Sequence, residues 1–455
     1  MSDPTPTALL ARHARDTRHV HLTPDVREKA VLCLLDAYAL ALSAHDDQTV
    51  VAADSVLATA APATGATVWA NGRHTSVGDA ALANGIDAHA QFQDDTDMDA
   101  WAHPGSLIVP AAWALAEQRG ESLDVLVRGI ASGYTALNWL GAHGTVGHAL
   151  VERGFRASPT LGSIAAAVSA ATVLGLDEQA ATNAIGLATD TTGGLLEPVR
   201  TGAQDWRWQN GVAAWRGTMA GLLAAAGVRG PAEPLTGPQG FLTAFCGTDS
   251  PPDDWRTAPA TDAIHVVWFK RYPVLGDNMA AAVAAASLHP ELPDPHAVTR
   301  IDVHINAHFA AYPGTSYAGP YDTVEQAMAS TAFAVAALLA HGEIRHRDLA
   351  TLCTDPLVTA LVEKVTVVPE PDYGFLDSTV AVPTAGGTLT RHTADCPREE
   401  FFRDRATAAA AFHRTVADVP VAPTGGELPE RLFDWLDGGT EPALADLFVH
   451  ADRES

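Results

Sequence analysis

The sequence predicts a mainly α fold: a compact all-helical body in the first half, then a region of α+β character. Three observations carry this reading. Ala- and Gly-rich segments with helical start and stop signals fill most of residues 24–227. The segment TRIDVHINAH alternates Ile301, Val303 and Ile305 with Asp302, His304 and Asn306, the period of a half-buried strand. Between the two, SPPDDWRTAPATD (250–262) changes texture to Pro, Asp and Thr, as a domain boundary does.

Taken in order, Thr23 and Pro24 supply an N-cap and a first-turn proline for PDVREKAVLCLLDAYALALSA. ATVWANGRHTSV places Asn71-Gly72 between two β-prone arms, a hairpin signal. Helices are expected at 78–90, 106–119, 122–141, 159–175, 177–189 and 208–227, where small residues permit close helix–helix approach. HVVWFKRYP reads as a strand, and a long helix fits 323–341, with shorter ones at 346–362. KVTVV and STVAVPTAGGTLTRH add strands joined by a Gly-Gly turn, and after VPVAPTGGELPE the chain returns to helix.

Composition narrows the function. With 455 residues, 47% of them hydrophobic, the chain can bury a large core without disulfides or metal. Cys33, Cys246, Cys353 and Cys396 are scattered with no CxxC, which points to a reducing cytoplasm and no zinc ribbon. The opening MSDPTPTALLARHARD matches neither a signal peptide nor a transit sequence, so a cytoplasmic location is expected. LGSIAAAVSAATVLGL carries Ser and Thr and falls short of a spanning length, so it reads as a buried helix and no membrane partner is expected. A net charge of −26 repels phosphate backbones and argues against a nucleic-acid partner. It leaves room for an anionic small molecule, because local basic residues override a distant field.

The chemistry concentrates in QFQDDTDMDAWAHPG (91–105), with carboxylates at Asp94, Asp95, Asp97 and Asp99. A calcium loop fails here: the sixth position is Ala100 where glycine is needed, and the twelfth is Ser106 where a bidentate Glu is needed. An acid-rich magnesium motif lacks its partner motif on a facing helix. No metal site is therefore expected, and Asp97 and Asp99 read as residues solvating a loop. His103-Pro104-Gly105 fixes a tight turn with the next helix beginning at Ser106, which holds an imidazole at a helix mouth. In GFRASPT, Arg156 precedes a helix with Ser158 as N-cap and Pro159 at its first position, an anion cradle or else a surface Arg capping its own loop. WFKRYP brings Lys270, Arg271 and Tyr272 together, and QDWRWQNG sets Arg207 between Trp206 and Trp208. These make an apolar wall with an anion contact.

Read in this order, ALANGIDAHAQFQDDT…HPGSLIVPAAWALAE, ERGFRASPTLGSIAAAVSAATVLGL, RWQNGVAAWRG, GPQGFLTAF and FKRYP resemble the MmgE/PrpD family, which includes 2-methylcitrate dehydratase, cis-aconitate decarboxylase and iminodisuccinate epimerase. The resemblance implies a large all-helical domain from 1–255 plus 405–455 and a smaller α+β lid at 260–404. It also implies a homodimer and cofactor-free proton chemistry in a cleft between the domains, on a small molecule. The chain departs from the family pattern at several active-site positions. Gln91 stands for an expected Asp, Arg156 for a His, Trp206 for a Lys and Leu275 for a decarboxylase-type His. Asp94, Asp95, Thr96, His103, Arg207 and Lys270 match it.

From these residues, His103 is expected to do the acid/base work, with Lys270 as partner or charge stabiliser. Arg156 and Arg207 are expected to hold a carboxylate or carbonyl oxygen, with Gln91, Trp206 and Tyr272 at the substrate. Asp94 and Thr96 are expected to orient the loop or His103. The reading is a cofactor-independent lyase of dehydratase type on a substrate less charged than methylcitrate. An epimerase using the same carbanion is the alternative within catalysis, and a non-catalytic binding protein is the alternative outside it.

Overall fold

The computed structural model describes residues 4–57, 65–419 and 427–447. Its first core is built around the helix Ala157–Leu174, which is buried almost all round. Trp206–Ala225, Leu123–Gly141 and Pro104–Arg119 pack against it, and Val77–His89 packs against Trp206–Ala225. Ala and Gly make this possible. A Cβ on Gly217 would fall 2.3 Å from the Ala166 methyl, and one on Gly85 would fall 2.8 Å from the Gly211 Cα. Backbones in such contact fix where the helix ends lie, and the site is assembled at those ends. Ala157–Leu174 is the one helix among the described residues long and apolar enough to cross a membrane, and it lies inside this core.

The second core carries a four-stranded sheet in the order Val365–Glu370, Ile301–Asn306, Ser378–Thr384, Gly387–His392. The first pair is parallel and the others are antiparallel. Ile301, Val303 and Ile305 are buried as their alternation requires. Gly276–Leu288 and Thr331–His341 pack with each other and complete this core with the strands. The closing helices Arg405–Val416 and Leu428–Leu436 return to pack on Pro24–Ser43 in the first core. The Pro/Gly stretch 420–426 between them lies outside the described residues.

The expected helices of the first half form within one or two residues of their predicted bounds, and the Asn71-Gly72 hairpin joins the short strands Ala66–Thr67 and His74–Thr75. Four differences have physical causes. HVVWFKRYP is not a strand: a short 3₁₀ turn, Thr261–Val266, leads into an extended segment whose amides bond to loops, Trp268 to Thr96 O and Phe269 to Phe401 O. That segment threads between the cores instead of joining a sheet. The helix expected at 323–341 is two, Val324–Ala329 and Thr331–His341, because Ser330 turns extended and its hydroxyl caps the second through Phe333 N. The next helix after the His-Pro-Gly turn begins at Pro104, not Ser106, with His103 itself in the cap position. Likewise Arg156, not Ser158, caps Ala157–Leu174. The helices Pro6–His19, Gln48–Leu57, Thr145–Glu152 and Gly276–Leu288 were not foreseen.

Candidate active site

The segment 91–105 is an ordered core element, and the expectation that Asp97 solvates a loop is corrected. Asp97 is fully buried, takes hydrogen bonds from Asn138 Nδ2 (3.1 Å) and Ala100 N (3.1 Å), and closes the loop through paired backbone bonds with Ala102. Burial pushes its carboxyl up to about 7. Asp99 remains half-buried beside His143. Asp95, also buried, accepts from Gly105 N (2.7 Å) and Tyr134 Oη (2.8 Å). These bonds pin the His-Pro-Gly turn, and they explain its glycine: a Cβ on Gly105 would lie 2.8 Å from Asp95 Oδ1.

His103 is thereby held with Nδ1 3.1 Å from the Asp95 carbonyl oxygen and 3.2 Å from Thr96 Oγ1. A carbonyl can only accept, so Nδ1 carries the proton and Nε2 is the free lone pair. Its backbone N–H donates to Ser158 Oγ at 3.1 Å. Burial, then the Lys270 ammonium, holds the imidazole well below its ordinary pKa, so it is neutral at neutral pH.

Behind it runs a buried chain that sequence reasoning did not single out. His89 Nδ1 donates to Asp94 Oδ2 (2.8 Å), and Arg156 Nη2 donates to His89 Nε2 (3.0 Å). Both ring nitrogens are thus assigned, and burial lowers the His89 pKa to about 4. Asp94 also accepts from Ser106 Oγ (2.6 Å). Burial alone would raise its carboxyl, but His89, His103 and Lys270 pull it below the usual carboxylate range. Arg156 is buried, not a surface residue, and Trp206 O at 2.8 Å and Gln209 Oε1 at 3.2 Å fix its other guanidinium nitrogen. The only local sign of His89 was an imidazole at the end of an Ala-rich helix, five residues before Asp94.

Phe92, Thr96, Met98, Trp101, His103, Arg156 and Ser158 line one cavity of about 30 Å³ together with Leu275, Gly276, Asp277 and Tyr312. The first group comes from segments before residue 160, of which Phe92 and Met98 pack into the second core, and the second group from residues 275–312. A volume this small holds roughly one or two waters. Phe92 and Trp101 both adopt left-handed backbone at φ +54°, unusual for aromatic residues and concentrated here at the cavity wall.

The other expected site residues sit around this cavity. Fully buried Lys270 donates to the carbonyls of Phe92 and Val274 (the latter 3.4 Å) and lies 4.6 Å from the Phe92 ring centroid. Burial lowers its pKa to about 8. Trp206 packs edge-on against His89 (4.9 Å) and Phe92 (4.6 Å) and borders a smaller apolar pocket. Arg207, one helical step on, points elsewhere, to Ala90 O (2.8 Å), Glu325 (2.8 Å) and Asp47 (3.7 Å). Gln91 donates to Ser43 Oγ (2.8 Å) and borders a separate groove with Asp47 and His346. Tyr272 is buried in the second core. Asp277 and Tyr312 are cavity residues that the sequence reading missed.

Comparison with known proteins gives consistent results. The family model of the MmgE/PrpD N-terminal domain matches residues 8–253, and that of the MmgE/PrpD C-terminal domain matches residues 272–411. The chain is 26% identical over 403 residues to a cis-aconitate decarboxylase-like protein, oryM, of Aspergillus oryzae, covering 82% of each chain. It is 30% identical over 175 residues to a cis-aconitate decarboxylase of Aspergillus terreus, covering 36% of this chain and 35% of the relative. Relatives of this kind support an enzyme of lyase type.

Proposed function

The chain belongs to the MmgE/PrpD family, and on that premise we propose that it is a cofactor-independent lyase that removes a proton beside a carboxylate or carbonyl group. One observation carries the reading: His103, its side chain 12% exposed, is neutral and bonded through Nδ1 to the Asp95 carbonyl, which leaves Nε2 as an unshared base at the cavity. Neutral imidazole is the form a general base needs, and the bonds at Nδ1 hold it in one orientation.

Among the described residues Arg156 is the one cation lining the cavity, and its three side-chain hydrogen bonds fix it in advance of substrate. It binds a carboxylate or the enolate-like oxygen that develops as the proton leaves. Lys270 contributes positive charge from behind the wall while holding the Phe92 carbonyl. Phe92, Met98, Trp101 and Leu275 make much of the remaining wall apolar. That wall favours a substrate with one carboxylate and an apolar body over a tricarboxylate. Dehydration is the form of the reaction we favour.

The test is solvent deuterium exchange and turnover with cis-aconitate and a panel of β-hydroxy and α,β-unsaturated monocarboxylic acids, wild type against His103→Ala. Exchange by the wild type that the variant abolishes supports the reading. A wild type that exchanges nothing, yet whose melting temperature is raised by one of these acids, makes the chain a binding protein instead.

A further inference from the structure

The cavity holds a second acid/base group that comes from the other core. Asp277 is the second residue of the helix Gly276–Leu288 and lines the same cavity as His103. It is 8% exposed, and its Oδ1 is buried with no hydrogen-bond partner among the described residues. Among the described residues Asp36, Asp87 and Asp94 also keep one unpaired buried carboxylate oxygen, and what sets Asp277 apart from all three is that it lines the cavity. A buried carboxyl oxygen without a donor is unfavourable by about 1–3 kcal/mol, and one that opens onto a cavity can be satisfied by what enters it.

We infer that Asp277 is a second catalytic residue, which gives a proton to the substrate while His103 takes one. The inference rests on the lyase reading above. In a dehydration, His103 Nε2 takes the C–H proton and the C–H electron pair becomes the new double bond. The adjacent C–O bond breaks, and its oxygen leaves as water with the proton from Asp277. The enzyme is left with a protonated His103 and an ionised Asp277, and proton transfer from the first to the second restores both.

The charges around Asp277 suit this role. Lys270 and the Tyr312 hydroxyl lie near it, and Arg156 and His103 line the same cavity. Burial pushes its carboxyl up to about 7, against the pull of its own helix-start amide and of Lys270. An acid poised there is protonated for part of the population at neutral pH and gives its proton up readily. Without Asp277 the leaving oxygen would depart as hydroxide.

The experiment uses the full chain and whichever acid of the panel the wild type converts. Asp277→Asn keeps the shape and removes the proton. It is expected to lower turnover at least about 100-fold, with deuterium exchange through His103 retained and an unchanged melting temperature. Asp277→Ala is expected to regain turnover when formate is added, a rescue that a purely structural carboxyl would not show. Turnover of Asp277→Asn within about threefold of wild type, or no rescue of a folded Asp277→Ala, overturns the assignment while leaving the His103 reading intact. A wild type that neither exchanges nor converts any acid overturns both.

Discussion

His103 takes its tautomer from the backbone of Asp95, whose carboxylate in turn clamps the turn two residues beyond the imidazole. The Nδ1–carbonyl distance is 3.1 Å, and the Asp95 Oδ1–Gly105 N distance is 2.7 Å. One residue therefore sets both where the base stands and which nitrogen is free.

Gly105→Ala is expected to damage activity more than stability. The added methyl meets Asp95 Oδ1 at 2.8 Å, so the clamp must shift and carry the imidazole with it. A displacement on the order of 1 Å costs roughly 100-fold in rate. Turnover measured beside the melting temperature checks this, and a variant with normal turnover contradicts it.

Lys270→Met is expected to move the acid limb of the pH–rate profile to higher pH. The ammonium is the largest influence after burial keeping His103 unprotonated, and the base works only when neutral. Without that charge His103 takes up a proton at a higher pH, and activity fades sooner on acidification. The variant also strips donors from the Phe92 and Val274 carbonyls, for an expected loss of about 1–3 kcal/mol in urea unfolding.

His89→Ala is expected to be among the most destabilising substitutions near the site. It removes the donor to Asp94 and the acceptor of Arg156 at once, both in fully buried surroundings. Breaking a buried charged network by deleting one member costs roughly 3–5 kcal/mol. Denaturant unfolding measures this, and a loss under about 1 kcal/mol would show that the chain contributes little to stability.

His13 makes a contribution to stability that falls between pH 6.5 and 4, opposite in sign to that of the raised Asp97 and Asp277 carboxyls. His13 is buried against Ser132 O (3.2 Å), and burial lowers its pKa from 6.5 to about 4. In that window His13 binds a proton in the unfolded chain that it refuses in the folded one, so at this site unfolding gains as pH drops. His13 alone accounts for about 3 kcal/mol of loss across the window. His13→Gln is expected to flatten the profile there, read as unfolding free energy against pH.

Much of the helical frame was legible in the sequence because its signals are local. The caps, the small-residue runs and the alternation of Ile301, Val303 and Ile305 act within a few residues of themselves. The His103-Pro104-Gly105 turn was legible for the same reason. HVVWFKRYP misled because β-branched and aromatic residues mark burial as readily as strand, and here burial lies between two cores. The run 323–341 misled because Ser330 competes with the helix for Phe333 N.

The site was only partly legible. Trp206 and Arg207 are neighbours in sequence, yet helical geometry sends one to His89 and Phe92 and the other to Glu325. Gln91 sits in the marked loop and still faces a different groove from His103. Asp277 and Tyr312 carry no local pattern that announces them.

By itself the sequence determined the helical body, the strands of the small sheet, the rigid turn that presents His103 and the loop where the site lies. Only the tertiary structure decided that Asp94, His89 and Arg156 form one chain, and that Asp277 meets His103 across a cavity. The reason is physical. Periodicity and capping depend on neighbours along the chain, whereas burial, tautomer and protonation depend on neighbours in space, which close Gly–Ala packing of helices and a second core bring together.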